Sequence, residues 1–75
     1  MTEKVTAIMA ARKSSGITQA EAADMMGLSV GTYRAREGNP DGLTVGDIKS
    51  IVPSMNGISR RIMKDWLDSI FLAKE

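Results

Sequence analysis

The sequence predicts an all-α fold, a compact bundle of five short helices in one domain over residues 1–75. Three observations carry that prediction. Apolar residues recur at helical spacing, as in Val5, Ile8 and Met9 and again in Ile62, Met63, Trp66 and Leu67. β-branched residues nowhere alternate with polar ones over a useful length, so no strand is expected. Glycine, proline and asparagine at Gly16, Gly27, Gly38 to Gly42, Pro53 and Asn56-Gly57 cut the chain into helix-sized pieces.

Helix 1 is expected from about Glu3 to Ser14, with Val5, Ile8, Met9 and position 12 on one face. Position 12 is Arg12, and a guanidinium on a buried stripe needs a partner. Gly16 ends this helix as a left-handed cap. Thr18-Gln19-Ala20-Glu21 is a capping box: the threonine hydroxyl accepts from the third residue on, and the glutamate reaches back. It opens helix 2, which runs to about Met26 with Ala22, Ala23 and Met26 inward. Gly27 supplies the positive φ of a sharp turn. Leu28 is expected to plug the core, and Ser29 to cap helix 3, from Val30 to about Glu37.

Thr44 to Asp47 repeats the capping pattern with aspartate in the reciprocal place. Helix 4 follows with Val45, Ile48, Ile51 and Val52 inward, and Pro53 stops it. Ser59 is expected to cap helix 5, spanning 59–72, with Ile58 and Met63 forming a hydrophobic staple. The stripe of that helix is Ile62, Met63, Trp66, Leu67, Ile70 and Phe71.

Composition excludes more than it nominates. Ten basic residues face nine acidic ones, a net charge of +1, so overall charge does not single out nucleic acid. The chain has no cysteine and no histidine. Disulfides and cysteine- or histidine-ligated metal sites are therefore ruled out, and no metal or cofactor is expected. No pair of carboxylates converges on an obvious pocket and no glycine loop cradles a phosphate, which argues against an enzyme. No apolar run approaches the roughly 18 residues of a membrane span. MTEKVTAIMAARK lacks the long uncharged segment of a signal peptide, so a cytoplasmic home is expected.

Two helices joined by a short turn containing Gly27, over residues 18–37, fit a helix-turn-helix. In such a unit the second helix enters the major groove. GITQAEAADMMGLSVGTYRAREGN, Gly16 to Asn39, resembles the Cro/repressor-type helix-turn-helix domains of phage and bacterial regulators, the λ-repressor-like fold. Gly-Ile-Thr-Gln opens helix 2, Ala23 sits at the tight helix contact, Gly27 makes the turn and Glu37-Gly38 closes helix 3. LTVGDIKSIV looks like the family's fourth helix, and the resemblance covers about residues 3–53.

The resemblance implies roles residue by residue. Arg12 and Glu37 match an ion pair that fixes helix 3 against helix 1. Gln19 matches a glutamine that binds a backbone phosphate; its plain reading is an exposed helix-start residue. Ser29 and Thr32 cap helix 3, contact phosphate, or both. The family's base readers match Ser29, Val30, Gly31, Arg34 and Ala35. Arg34 alone offers the bidentate contact to guanine, against the plain reading of a solvated arginine, and Val30 offers a methyl contact to thymine. Arg36 departs from the family, which usually has an apolar residue there; its stem then covers core while the charge reaches outward.

Helix 5 admits two readings. Either its stripe fills the core, or Met63, Leu67 and Phe71 extend it into a dimer or partner surface. The function expected is a sequence-specific DNA-binding transcriptional regulator, a Cro-like phage or prophage repressor acting as a homodimer on a palindromic double-stranded operator. The alternative is an antirepressor or antitoxin-like module that binds another regulator protein.

Overall fold

A computed structural model describes residues 5–72. Its helices are α1 (Ala7–Ser14), α2 (Gln19–Met26), α3 (Val30–Gly38), α4 (Val45–Ile51) and α5 (Gly57–Phe71). Single 3₁₀ turns at Pro40–Gly42 and Val52–Ser54 flank α4. α1 packs along α5, and α2 packs against both α3 and α4. Ile8, Ala11, Ile17, Ala22, Ala23, Tyr33, Ile51, Met55 and Met63 form the buried core. Among the described residues no helix is long and apolar enough to cross a membrane.

Local signals explain most boundaries. Thr18 Oγ1 accepts from Glu21 N at 3.1 Å while Glu21 Oε1 accepts from Thr18 N at 2.8 Å. Thr44 and Asp47 make the same reciprocal pair at 3.0 and 3.1 Å. Gly27 closes α2 at φ 70°, a left-handed conformation that costs a residue with a Cβ about 1–2 kcal/mol.

Four expectations are corrected. α1 begins at Ala7 rather than near Glu3, a position outside the described residues. Thr6 takes the N-cap and donates its hydroxyl to Glu37 O at 2.7 Å, so Val5 lies ahead of the helix and is exposed. Val45, first residue of α4, is likewise exposed, leaving Ile48, Ile51 and Val52 to face inward. Leu28 is half-buried rather than a core plug.

The start of α5 differs most. Asn56, not Ser59, is the cap, and its side chain accepts from Ser59 N at 2.8 Å. With the helix starting earlier, Ile58 is exposed and no staple to Met63 forms. Ser59 is buried, donating Oγ to Ala11 O at 2.6 Å and accepting from Ser15 Oγ at 2.6 Å. Asn56 adds Nδ2 to Ser14 O at 3.0 Å. These bonds seat the end of α1 on the start of α5, and the two helices run antiparallel.

Further along α5, Met63 is a core residue, only 1% exposed, rather than part of an outer stripe. Ile62 and Trp66 pack half-buried against the core, whereas Ile70 and Phe71 are exposed. Arg60 turns back to donate to the Met55 and Pro53 carbonyls at 3.1 and 3.2 Å, closing the second 3₁₀ turn. Lys64 pairs on the surface with Asp68 at 2.8 Å.

Candidate nucleic-acid interface

α2 and α3 are joined by Gly27, Leu28 and Ser29, and Leu28 N reaches back to Ala23 O at 2.9 Å. Ser29 caps α3 by accepting from Thr32 N at 3.1 Å. Tyr33 and Glu37 lie one turn apart on the inner face of α3 and are both buried. A buried carboxylate is expensive unless paired and fully hydrogen-bonded. Glu37 meets both conditions.

Glu37 Oε2 accepts from Arg12 Nε at 2.6 Å and from Tyr33 Oη at 2.7 Å. Its Oε1 accepts from Gln19 Nε2 at 3.0 Å and from Arg12 Nη2 at 3.4 Å. Arg12 Nη1 is then spent on Ile17 O at 2.8 Å. Among the described residues no buried side-chain nitrogen or oxygen lacks a partner. Burial acts to raise the Glu37 pKa, but the bonds from Arg12, Tyr33 and Gln19 outweigh it and hold the carboxyl below its usual range. Burial also works against charge on Arg12, and Glu37 more than compensates, leaving the guanidinium pKa raised. The Tyr33 phenol is pushed up by burial and then by its bond to Glu37, so it remains a protonated donor.

This cluster anchors α3 from beneath and leaves its opposite side free. Ser29, Gly31, Thr32, Arg34 and Ala35 are all exposed. Val30 is divided: it is half-buried and packs against the core, so only part of it is offered outward. A shallow groove of about 450 Å³ runs along this side, lined by Gly31, Thr32, Ala35, Arg36, Asn39 and Gly42. Ser29 and Thr32 are tied to each other, Ser29 Oγ donating to Thr32 Oγ1 at 2.9 Å. Gln19 is engaged at both ends, because its Oε1 also accepts from Arg34 Nε at 3.0 Å.

Sequence reasoning missed the partner of Arg36. Its Nη1 meets Asp47 Oδ2 at 3.1 Å, the same oxygen that caps α4, and its stem lies against Gly42. The signal was present, since a charge at a position the family keeps apolar calls for a counter-charge. Nothing in the local pattern of Asp47 announced a second task beyond the cap.

On the far side, Val52, Met63, Leu67 and Phe71 line a groove of about 370 Å³ edged by Arg60, Lys64 and Asp68. Met63 forms part of its wall as a core residue, Leu67 is half-buried, and Phe71 stands 83% exposed at its end.

Among the described residues no three acidic side chains cluster to hold a metal ion. No curated protein and no solved structure gives a significant match to the chain. A family model described as helix-turn-helix matches residues 8–51, more than half of the 75 residues. The matched span begins in α1 and ends with α4, so it takes in the Arg12–Glu37 cluster, the turn at Gly27 and the exposed side of α3. On that match the chain belongs to the Cro/repressor-type helix-turn-helix family of DNA-binding transcription regulators.

Proposed function

We propose that the chain is a Cro-like repressor of the phage or prophage kind, binding a palindromic operator as a homodimer. The observation that carries this reading is the exposed side of α3, held up from beneath by a satisfied buried network. An unpacked helix face on a rigid support suits the major groove, where the second helix of this motif docks. Val30, Gly31 and Ala35 would lie toward base edges, with Ser29 and Thr32 toward the sugar-phosphate backbone. Small side chains there give close approach and methyl contacts, and sequence-dependent DNA shape adds to the readout.

A second copy of the chain is the occupant proposed for the groove on α5, whose apolar floor is edged by both basic and acidic residues. An antiparallel pairing of two α5 helices about Leu67 would carry the exposed Phe71 of each copy toward the apolar groove of the other. A palindrome with half-sites one turn apart requires the two recognition helices of the dimer to stand about 34 Å from each other.

Selection from random duplexes at low and near-physiological salt tests the reading. Enrichment of a palindrome with half-sites one turn apart is the expected result. Affinity should fall by about 0.9 log unit per log unit of salt for each phosphate contact. The net charge of +1 favours one competing reading, a module that captures another regulator. That reading predicts weak duplex binding, a shallow salt slope and no enriched sequence.

A further inference from the structure

The side-chain amide of Gln19 is held at both ends. Its Nε2 donates to Glu37 Oε1 at 3.0 Å and its Oε1 accepts from Arg34 Nε at 3.0 Å. A carboxylate only accepts and a guanidinium only donates, so a single orientation of the amide satisfies both neighbours. Glu37 is itself fixed by Arg12 and Tyr33. A continuous chain of bonds therefore runs from the Ile17 carbonyl, through Arg12, Glu37 and Gln19, to the guanidinium of Arg34 at the surface.

A guanidinium has two edges that present a pair of parallel N–H groups. One combines Nε with a terminal nitrogen; the other uses the two terminal nitrogens. With Nε committed to Gln19, only the terminal edge remains for a bidentate contact. We infer that Gln19 is a positioning residue for base selection: it fixes the edge and direction with which Arg34 meets a guanine. Selectivity at that base then depends on Gln19 without Gln19 touching the base. The inference rests on the DNA-reading function proposed above. It departs from the phosphate role that the family resemblance assigns to Gln19, because a phosphate contact carries no sequence information.

Three variants separate the possibilities. Gln19→Met keeps the length but removes both polar atoms, and Glu37 retains Arg12 and Tyr33. Gln19→Glu keeps an acceptor for Arg34 but no donor for Glu37. Arg34→Lys keeps the charge without the two-donor edge. Each is put through duplex selection beside the wild type, and the Arg34 Nε–H is followed by NMR in the free protein.

The wild type should prefer guanine at one position of each half-site by about tenfold or more. Gln19→Met and Arg34→Lys should both cut the preference at that position to about twofold or less while the other positions persist. Gln19→Glu should retain it. In the free protein, slow water exchange of the Arg34 Nε–H should vanish in Gln19→Met and persist in Gln19→Glu. Weaker binding of Gln19→Met to every sequence, with the guanine preference intact, overturns the positioning role alone. Unchanged exchange in Gln19→Met overturns the tether whatever the DNA result. No enrichment by the wild type overturns the DNA-reading function and the positioning role with it.

Discussion

Arg12 in the last turn of α1 and Glu37 near the end of α3 meet at 2.6 Å, with their side chains 10% and 2% exposed. The pair ties the first helix to the recognition helix across 25 residues of sequence. Removing one member strands the other charge in the interior, which costs about 3–5 kcal/mol. A domain of this size has only about 4–11 kcal/mol of stability in total. Arg12→Met or Glu37→Leu alone should therefore populate the unfolded state measurably. Both together should recover part of the loss, giving a coupling of about 1–3 kcal/mol in a urea-unfolding cycle. Additive losses would show that the two residues act separately.

The acid side of the stability curve should belong largely to Glu37. Its folded pKa lies below the ordinary 4.5, and a depressed carboxylate contributes stability that is complete above the unfolded value. That contribution disappears as the pH falls through the folded value, below about pH 4.5. Glu37→Gln should lower stability near neutrality and flatten its decline with acid. A weaker slope should persist from Glu21, whose pKa its bonds with Thr18 also lower. Urea midpoints measured from about pH 6 to about pH 3 check this; an unchanged slope in Glu37→Gln would remove Glu37 from the account.

The same substitution at two glycines should act with opposite sign. A Cβ at Gly27 or Gly31 would meet no atom within 4 Å, so neither change creates a clash. Gly27 sits at φ 70°, and Gly27→Ala should cost about 1 kcal/mol, a drop of about 4–8 °C in Tm. Gly31 is the second residue of α3, where alanine is still the better helix former, and Gly31→Ala should gain up to about 0.5 kcal/mol. Thermal unfolding of the pair decides; a gain at Gly27 would contradict the turn geometry.

Asn56 should matter through two separate bonds. Asn56→Ala removes the cap on α5 and the bond to Ser14 O, for a loss of about 1–2 kcal/mol. Asn56→Asp keeps the acceptor for Ser59 N but not the donor, and should fall between. If Asn56→Asp matched the wild type in urea, the bond to Ser14 would contribute nothing.

Phe71→Asp probes the proposed two-fold pairing. Phe71 is exposed, so folding should be unaffected, while a carboxylate in the apolar groove disfavours association. Sedimentation should move from dimer to monomer, and binding to a full palindrome should fall toward that of a half-site. A variant that stays dimeric with unchanged binding would place the pairing elsewhere.

Features decided within a few residues of chain are legible in the amino-acid sequence. The boxes at Thr18 and Thr44, the turn at Gly27 and the cap at Ser29 belong to that class, because capping bonds span three residues. The cap of α5 does not, since Asn56 and Ser59 both qualify locally. What separates them is the Ala11 carbonyl, 48 residues from Ser59 in sequence, which takes the serine hydroxyl inside. Periodicity also marks the apolar face of each helix without saying how far the neighbour extends. That is why Val5, Val45 and Ile70 stand in solvent and Met63 does not. At the interface, sequence places Gln19 and Arg34 on neighbouring helices but carries no sign of the bond between them, which depends on the crossing of α2 and α3.

The division of α3 into an over-determined inner face and a bare outer one has an evolutionary consequence. Tyr33 and Glu37 hold the helix, while positions 31, 32 and 35 touch little else in the fold. Replacement there leaves the support intact, so a lineage can exchange the outer residues as its target sequence drifts, without first having to repair the scaffold. The helix behaves as an exchangeable cassette on a fixed mount: its outer positions can change without disturbing the residues that hold it.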